Sequence, residues 1–567
     1  MGKLTNHSTY GRPNCSDGSA PICPSECCTI SANEFPKKNI IEDHQQEQTD
    51  EIKELLVIGA GPHALSLLLR LLEPEADFLS DKDRHVQAEF KTRMRPISEV
   101  NQHIRKLSRG PSVTLKPSKK KKHPDNGSPP PLELEEVRSS VVVVDRYGGW
   151  LSGWKQNFNA IGIPKLRSLM NAHADPYDHR ALEYYAEKNG RGSELITLPS
   201  LLQRNKDFTG PYQVPSTALF HDFHDLLTRA YGIEDIVQTG SVQSIKPIQD
   251  NEQSEEPIFE VRIDHGENSD QPLELVKARR IVCAMGPIFR TGEAFWEASL
   301  RKELAGQYYP SDKILHANEI IPYLRAHQNG NKRSKEPLRR ILIVGGGITS
   351  AQLALLASKS PWCRSVTLIQ RSEGISRHFD LETKWMGPRR GQLLDDFWSL
   401  DMHARAKQLQ QARLGGSVPP EICQELLERG NLQIQKEVQI SEVKWTDDQF
   451  LVTVDDGSDS EQYDMIWLAT GSENHIDHYS ALSQLRQTLP VEVVNGLPVL
   501  SKDLTWRCPP IESAHEPKWK KIARGRFHCM GSLAGLELGP DALNLVGARH
   551  GAVRVAKAIR SDLSIKK

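Results

Sequence analysis

The chain lacks any long hydrophobic run: no stretch of its 567 residues reaches the ~18 apolar residues of a membrane span. Its N-terminus also lacks the apolar core of a secretory leader, so no export signal is expected. Met1-Gly2 resembles a myristoylation start, but Asn6 stands where Ser or Thr is required, which excludes that anchor. Charge of one sign is not in excess. Lys and Arg number 72 against 73 Asp and Glu, for a net charge of -1, so nothing global points to nucleic acid or an anionic membrane. Cysteine is sparse and odd in number, at nine. Cys283, Cys363, Cys423, Cys508 and Cys529 are scattered, which fits a reducing, cytoplasmic compartment. Cys15, Cys23, Cys27 and Cys28 cluster in the polar N-terminal stretch without a paired C-x-x-C spacing. Incidental thiols are favoured there over a metal site, and no metal is expected.

What is present is a globular composition, 38% hydrophobic and 26% charged, with room for polar insertions. The length allows two to four domains at a prior of about 150 residues each. One stretch stands out. Glu54 to Ile58 is an apolar lead into Gly59-Ala60-Gly61-Pro62-His63-Ala64, and Leu65 to Leu72 continues as an apolar helix-like segment. This is the pattern of strand, tight turn and helix N-terminus. The first glycine permits the turn, the second admits a pyrophosphate to the backbone, and the small Ala64 lets helix pack on strand. A second copy follows: Arg340-Ile341-Leu342-Ile343-Val344 leads into Gly345-Gly346-Gly347-Ile348-Thr349-Ser350-Ala351. Two such turns far apart imply two dinucleotides.

Residues 1–50 are polar and end in an acidic run, and read as a disordered tail. A polar insertion at about 81–138 carries Lys119 to Lys122 and Pro129 to Pro131. The lysine run fits a nuclear address or a phosphate patch, but a solvated loop is favoured. Val141 to Val144 then form a buried strand ending at Asp145, where an acid accepts hydrogen bonds from an adenosine ribose. The insertion accounts for its long spacing from the glycines. Strand-like alternation at 240–247 and 257–264 precedes the apolar run Ile281 to Ala284. The second unit repeats the order, with alternation at 433–444 and 449–455 and a return strand ending Leu468-Ala469-Thr470-Gly471. Its second strand, Ser365 to Ser372, ends in Gln370-Arg371 instead of an acid. Arg371 can pair with a 2′-phosphate through two parallel hydrogen bonds, which favours NADPH over NADH. Pro540-Asp541 reads as helix-start chemistry for a C-terminal helix over 546–559.

The fold class expected is α/β, with two Rossmann-like doubly wound dinucleotide-binding domains. The first spans 51–335 and resumes at 473–567; the second spans 336–472.

The order of Gly-Ala-Gly-Pro-His-Ala, Gly-Gly-Gly-Ile-Thr-Ser-Ala-Gln, Leu-Ala-Thr-Gly and the terminal Gly539-Pro540-Asp541-Ala542-Leu543-Asn544-Leu545 resembles flavin monooxygenases with two dinucleotide domains. Within that class the chain is most similar to the N-hydroxylating lysine/ornithine monooxygenases. Leu182-Glu183-Tyr184-Tyr185 leading to Asn189-Gly190-Arg191 resembles one of their segments, and Asp395 to Glu425 resembles their insert after the second glycine motif. The substrate-binding Lys of those enzymes has no counterpart near Leu169 to Ala174, so the resemblance implies fold and cofactors but not a diamine substrate. The Baeyer–Villiger fingerprint is absent. A weaker similarity runs to animal oxidative-stress growth-inhibitor proteins.

The resemblance implies FAD and NADPH as cofactors. Gly59, Gly61, Pro62, His63 and Ala64 would hold the FAD pyrophosphate, and Asp145 its ribose. Asp541, Ala542 and Leu543 would approach the isoalloxazine through backbone groups. Gly345, Gly347, Thr349 and Ser350 would hold NADPH phosphates, with Arg371 on the 2′-phosphate. His63 would touch flavin or phosphate, or merely start a helix. The implied reaction is hydride transfer from NADPH to flavin, then transfer of one oxygen atom from a C4a-hydroperoxyflavin to a nucleophilic nitrogen or sulfur of a small molecule. Such chemistry resides in the cofactor and asks for no protein nucleophile. The alternatives are a flavin-dependent NADPH reductase or oxidase, and a non-catalytic regulatory module on the same fold. A disulfide reductase would carry a close cysteine pair near its flavin, and Cys27-Cys28 lies in the polar tail.

Overall fold

The computed structural model describes residues 51–73, 129–176, 178–198, 210, 212–250, 255–266, 272–286, 289–290, 294–305, 308–328, 338–387, 389–413, 416–471, 473–509 and 516–566. The N-terminal tail with its four cysteines, the lysine run and most of the polar insertion lie outside these residues.

Two glycine turns build two five-stranded sheets. In the first, the strands run Phe527–Cys529, Ile281–Cys283, Leu55–Ile58, Val141–Asp145 and Val237–Thr239 across the sheet, with every neighbouring pair parallel. The glycine-turn strand Leu55–Ile58 is central, and all four of its residues are buried. In the second, the order is Ile314–His316, Met465–Leu468, Arg339–Val344, Cys363–Gln370 and Leu432–Lys436, again all parallel. Both arrangements are doubly wound: the chain moves outward from the glycine-turn strand to one edge, then crosses back to its other side. Each sheet carries a separate three-stranded antiparallel ribbon. These are formed by Ser241–Gln249, Pro257–Asp264 and Glu274–Ala278, and by Ile440–Thr446, Gln449–Val454 and Glu461–Tyr463.

The helix after the first turn, Pro62–Leu72, shows why these residues fold this way. Pro62 occupies the first helical position, where its missing N–H costs nothing. Leu65, Leu67, Leu68, Leu69 and Leu71 point to several sides and are all fully buried, so this is a core helix and not a surface one. Each such leucine contributes roughly 1.5–3 kcal/mol of burial. The helix packs against the C-terminal helix Leu545–Lys566 and against the first sheet.

Several boundaries differ from the sequence reading. The helix Leu134–Ser140 precedes the second strand, and its Val137 joins the core, so the polar insertion ends before 138. The alternation at 433–444 is two elements: Leu432–Lys436 belongs to the second sheet, Glu437 turns with φ 58°, and Ile440–Thr446 starts the ribbon. Pro540-Asp541 do not start the terminal helix. They lie in a turn in which the Ala542 N–H donates to Gly539 O and the Asn544 N–H to Asp541 O, and the helix begins at Leu545. The edge strand Ile314–His316 pairs in the second sheet, ahead of residue 336. Two short strands, Phe289–Arg290 and Glu473–Asn474, pair antiparallel where the chain passes out of and back into the first unit. No helix among the described residues is long and apolar enough to cross a membrane.

Candidate functional site

The two glycine turns share one geometry. Gly59 adopts φ +101°, and a Cβ there would lie 2.9 Å from the carbonyl oxygen of Ala284, just past the end of strand Ile281–Cys283. Gly345 is packed in the same way against Ala469, past Met465–Leu468, where a Cβ would lie 2.2 Å from the carbonyl oxygen. Matching ladder bonds set each turn: Ala284 N–H donates to Ile58 O at 2.9 Å, and Ala469 N–H to Val344 O at 2.8 Å. Gly61 and Gly347 then sit at the N-caps of Pro62–Leu72 and Ile348–Lys359, and neither helix has a side-chain cap. Free N–H groups and the helix dipole are the features that favour an anion at such a terminus.

At the first turn, three segments far apart in sequence converge. Asp145 receives the Ala60 N–H on Oδ2 at 2.9 Å and the Tyr147 N–H on Oδ1 at 2.8 Å. Its carboxylate is thereby fixed at the strand end beside the turn, with lone pairs left for further donors. His63 is buried, and its Nε2 donates to the carbonyl of Ala542 at 3.0 Å. Burial lowers its pKa, opposed in part by that bond, so the ring is neutral near pH 7. His63 thus ties the first glycine helix to the C-terminal segment. Ala64 is fully buried between helix and sheet.

The C-terminal segment is fixed from its other side by Arg390, which donates to Asp541 Oδ2 from Nε at 2.9 Å and from Nη2 at 2.7 Å. Both side chains are almost wholly buried. Asp541 Oδ1 and Ser532 Oγ are each buried with no hydrogen-bond partner among the described residues. Leu543 is half-buried.

On the second sheet the expected residues divide. Thr349 is exposed at the helix N-terminus. Ser350 is fully buried and its hydroxyl is aimed at the carbonyl oxygens of Gly345 and Gly347, both at 2.8 Å, so its side chain braces the turn. Arg371 is exposed just past the strand Cys363–Gln370.

Between the two units lies a cavity of about 850 Å³. Its apolar wall includes Trp154, Phe158 and Ile161 from the helix Ser152–Ile161 of the first unit, and Ile348 and Ile422 from the second. Thr349, Gly471 and Asn544 also border it. Sequence reading missed its charged members. Arg167 donates from Nε to His378 O at 2.9 Å, from Nη1 to Ser417 O at 3.1 Å, and from Nη2 to Ser417 Oγ at 2.8 Å and Arg377 O at 3.2 Å. Burial pushes its pKa down, while the nearby Asp380 acts the other way. Asp380 pairs with Arg413 at 3.0 Å. Arg167 lies just ahead of Leu169 to Ala174, and Asn544 within the C-terminal motif. Asp380, Arg390 and Arg413 carry no local signal, because only the tertiary fold brings them to the seam.

No protein-family model matches the chain, and no curated protein does. Solved structures do. An ornithine N-hydroxylase from Kutzneria sp. 744, solved with reduced FAD, NADP+ and L-ornithine, is 15% identical, covers 90% of this chain and 100% of its own, and superposes with a TM-score of 0.58. The ornithine hydroxylase of Pseudomonas aeruginosa is 14% identical with the same coverage and a TM-score of 0.56. The L-lysine 6-monooxygenase of Pseudomonas syringae is 18% identical over 90% of this chain and 99% of its own, with a TM-score of 0.54. At these identities the likeness establishes a shared two-sheet fold.

Proposed function

We propose that the chain is an FAD-dependent, NADPH-using monooxygenase that transfers one oxygen atom from O₂ to a nucleophilic nitrogen or sulfur of a small molecule. The observation that carries this reading is the pair of uncapped glycine-turn helices, one on each of two parallel sheets, with a cavity that meets the second turn at Ile348 and Thr349 and the first unit at Arg146 and Tyr147, just past the strand Val141–Asp145. The shared fold with N-hydroxylating enzymes supports it.

The first turn fits FAD. A Cβ at Gly61 would meet nothing within 4 Å, which leaves open the face that a pyrophosphate approaches. Asp145 is held ready for the ribose. The unpartnered Ser532 Oγ and Asp541 Oδ1 are buried polar atoms of the kind a bound ligand satisfies. On the second turn, the Gly347 helix terminus and Thr349 suit phosphates and Arg371 suits a 2′-phosphate; Ser350 contributes through the turn shape. Bound FAD would supply the redox chemistry, taking electrons from NADPH and activating O₂. The chain's own work is positioning and water exclusion. His63 and Arg390 grip the segment Asp541–Ala542 from two sides, and the aromatic and aliphatic wall of the cavity sheds water. The described cysteines form no disulfide, even Cys283 and Cys529, which face each other on adjacent parallel strands, and such free thiols support a reducing setting.

The test is spectroscopic. Purified full-length protein should carry a flavin spectrum that NADPH bleaches without air, faster than NADH does. Arg371→Ala should abolish most of that preference. Failure to bind flavin after reconstitution would sink the proposal.

A further inference from the structure

The two glycine turns differ in one respect. Above Gly61 the space is open, whereas above Gly347 a second backbone lies in contact. A Cβ on Gly347 would meet the Cα of Gly416 at 3.5 Å, and a Cβ on Gly416 would come within 2.6 Å of the Gly347 Cα and 3.0 Å of its nitrogen. A dinucleotide on this fold places its adenosine at the end of the second strand and its pyrophosphate over the glycine turn. The far ribose then extends toward the crossing strand. Here those stations are Arg371, Gly347 and Gly471, so the molecule must cross the point where Gly416 sits.

We propose that Gly416–Val418 is a strap that closes the second dinucleotide site and must lift from Gly347 before NADPH can lie across it. This rests on the NADPH reading of the second turn. The strap is pinned within its own unit: Val418 N–H donates to Ile375 O at 2.8 Å and Arg377 N–H to Val418 O at 2.9 Å. Its central residue is pinned from the other unit. Arg167, in the loop after the helix Ser152–Ile161, grips Ser417 at both the carbonyl and the hydroxyl, and that hydroxyl in turn donates to Phe379 O at 3.2 Å. Lys165, two residues away, pairs with Glu421 at 2.6 Å and adds a second link over the seam. Arg167 is therefore the cross-seam part of the strap's hold, beside the bonds to Ile375, Arg377 and Phe379 in its own unit, and it couples nucleotide entry to the seam between the two units. Glycine at 416 is what allows two backbones to approach this closely.

Two probes separate the strap from the site beneath it. 2′,5′-ADP reaches the Arg371 end without crossing Gly347, whereas NADP+ must cross. Calorimetric affinities for both would be measured on the full-length protein, on Arg167→Met, which removes the grip on Ser417, and on Gly416→Ala, whose methyl cannot fit against Gly347. Removing the closed population should tighten NADP+ binding roughly threefold to tenfold in each variant while 2′,5′-ADP stays level. If Arg167→Met does not fold, Gly416→Ala gives the same ratio. Both probes binding the unaltered protein, with their ratio unmoved or NADP+ weakened in the variants, overturns the strap alone. Neither probe binding overturns the NADPH reading and the strap with it.

Discussion

His224 shows how much a single buried side chain can hold. Its Nδ1 donates to Phe220 O at 2.7 Å and its Nε2 accepts the Ala174 N–H at 3.2 Å, so the ring is locked in one neutral tautomer. Burial brings its pKa down to about 4, and the same cause takes His173 down to about 3. A histidine with a depressed folded-state pKa stabilises the fold above its unfolded value near 6.5, and that stability is lost as pH falls toward the folded value. His224 alone should therefore cost about 2 kcal/mol between pH 7.5 and pH 5. Urea midpoints at the two pH values check this: His224→Gln should shrink the pH-dependent loss by about 2 kcal/mol and leave the share of His173, whereas an equal loss in that variant would refute the assignment. In sequence these histidines sit in a stretch rich in Trp, His, Pro and Tyr, where periodicity does not separate a structural ring from a catalytic one. His63 was visible as a motif residue, but its partner Ala542 lies 479 positions away. No local pattern encodes such a pairing.

The strand–turn–helix element was legible because its requirements are local: a positive-φ glycine, a second glycine with nothing above it, and a small residue at the helix–strand contact. Two substitutions separate these demands. Gly59→Ala places a methyl 2.9 Å from Ala284 O at φ +101°, a strained conformation that costs on the order of 1–3 kcal/mol. Gly61→Ala has an ordinary φ of -78° and free space, so the protein without flavin should melt within about a degree of the parent. Its methyl would nevertheless stand where the pyrophosphate approaches, and flavin affinity should fall by at least roughly tenfold. Thermal melts of the flavin-free protein and flavin titration read the two effects apart. Loss of stability in Gly61→Ala, or retained flavin affinity, would count against a pyrophosphate at this turn. The C-terminal element was harder to read. Pro540-Asp541 looks like a helix start, yet Gly539 at φ +91° and the pull of Arg390 on Asp541 hold it as a turn. The helix starts at Leu545 instead, with the carbonyl of the preceding Asn544 accepting the Ala548 N–H.

At the scale of the molecule, both sheets draw an edge strand from beyond the stretch that contains their glycine turn. Phe527–Cys529 closes the first after the whole second unit has intervened, and Ile314–His316 opens the second before its own turn. The repeated glycine turns announce two units, but strand exchange at their borders depends on pairing between distant segments and leaves no local mark. The second unit behaves as an insertion whose entry and exit, Phe289–Arg290 and Glu473–Asn474, already lie side by side, with Arg290 opposite Glu473. Deleting 291–472 and joining the two paired residues through a two-residue hairpin turn should leave the first unit folded. Flavin binding should persist and NADP+ binding should vanish. The melting temperature should drop, because Trp398, Arg390 and Arg405 on the removed insert donate to Glu537 O, Asp541 and Leu536 O of the retained C-terminal segment. In the excised protein those acceptors meet water, so no buried charge is stranded. Arg390→Met in the intact chain is the contrasting case. It leaves Asp541 buried without its cation, and should destabilise the fold by about 3–5 kcal/mol. A soluble excised protein with a flavin spectrum, alongside a strongly destabilised Arg390→Met, would establish the second unit as an insertion locked to the first by buried charge. An excised protein that neither folds nor binds flavin would mean that the first unit depends on the second for its core.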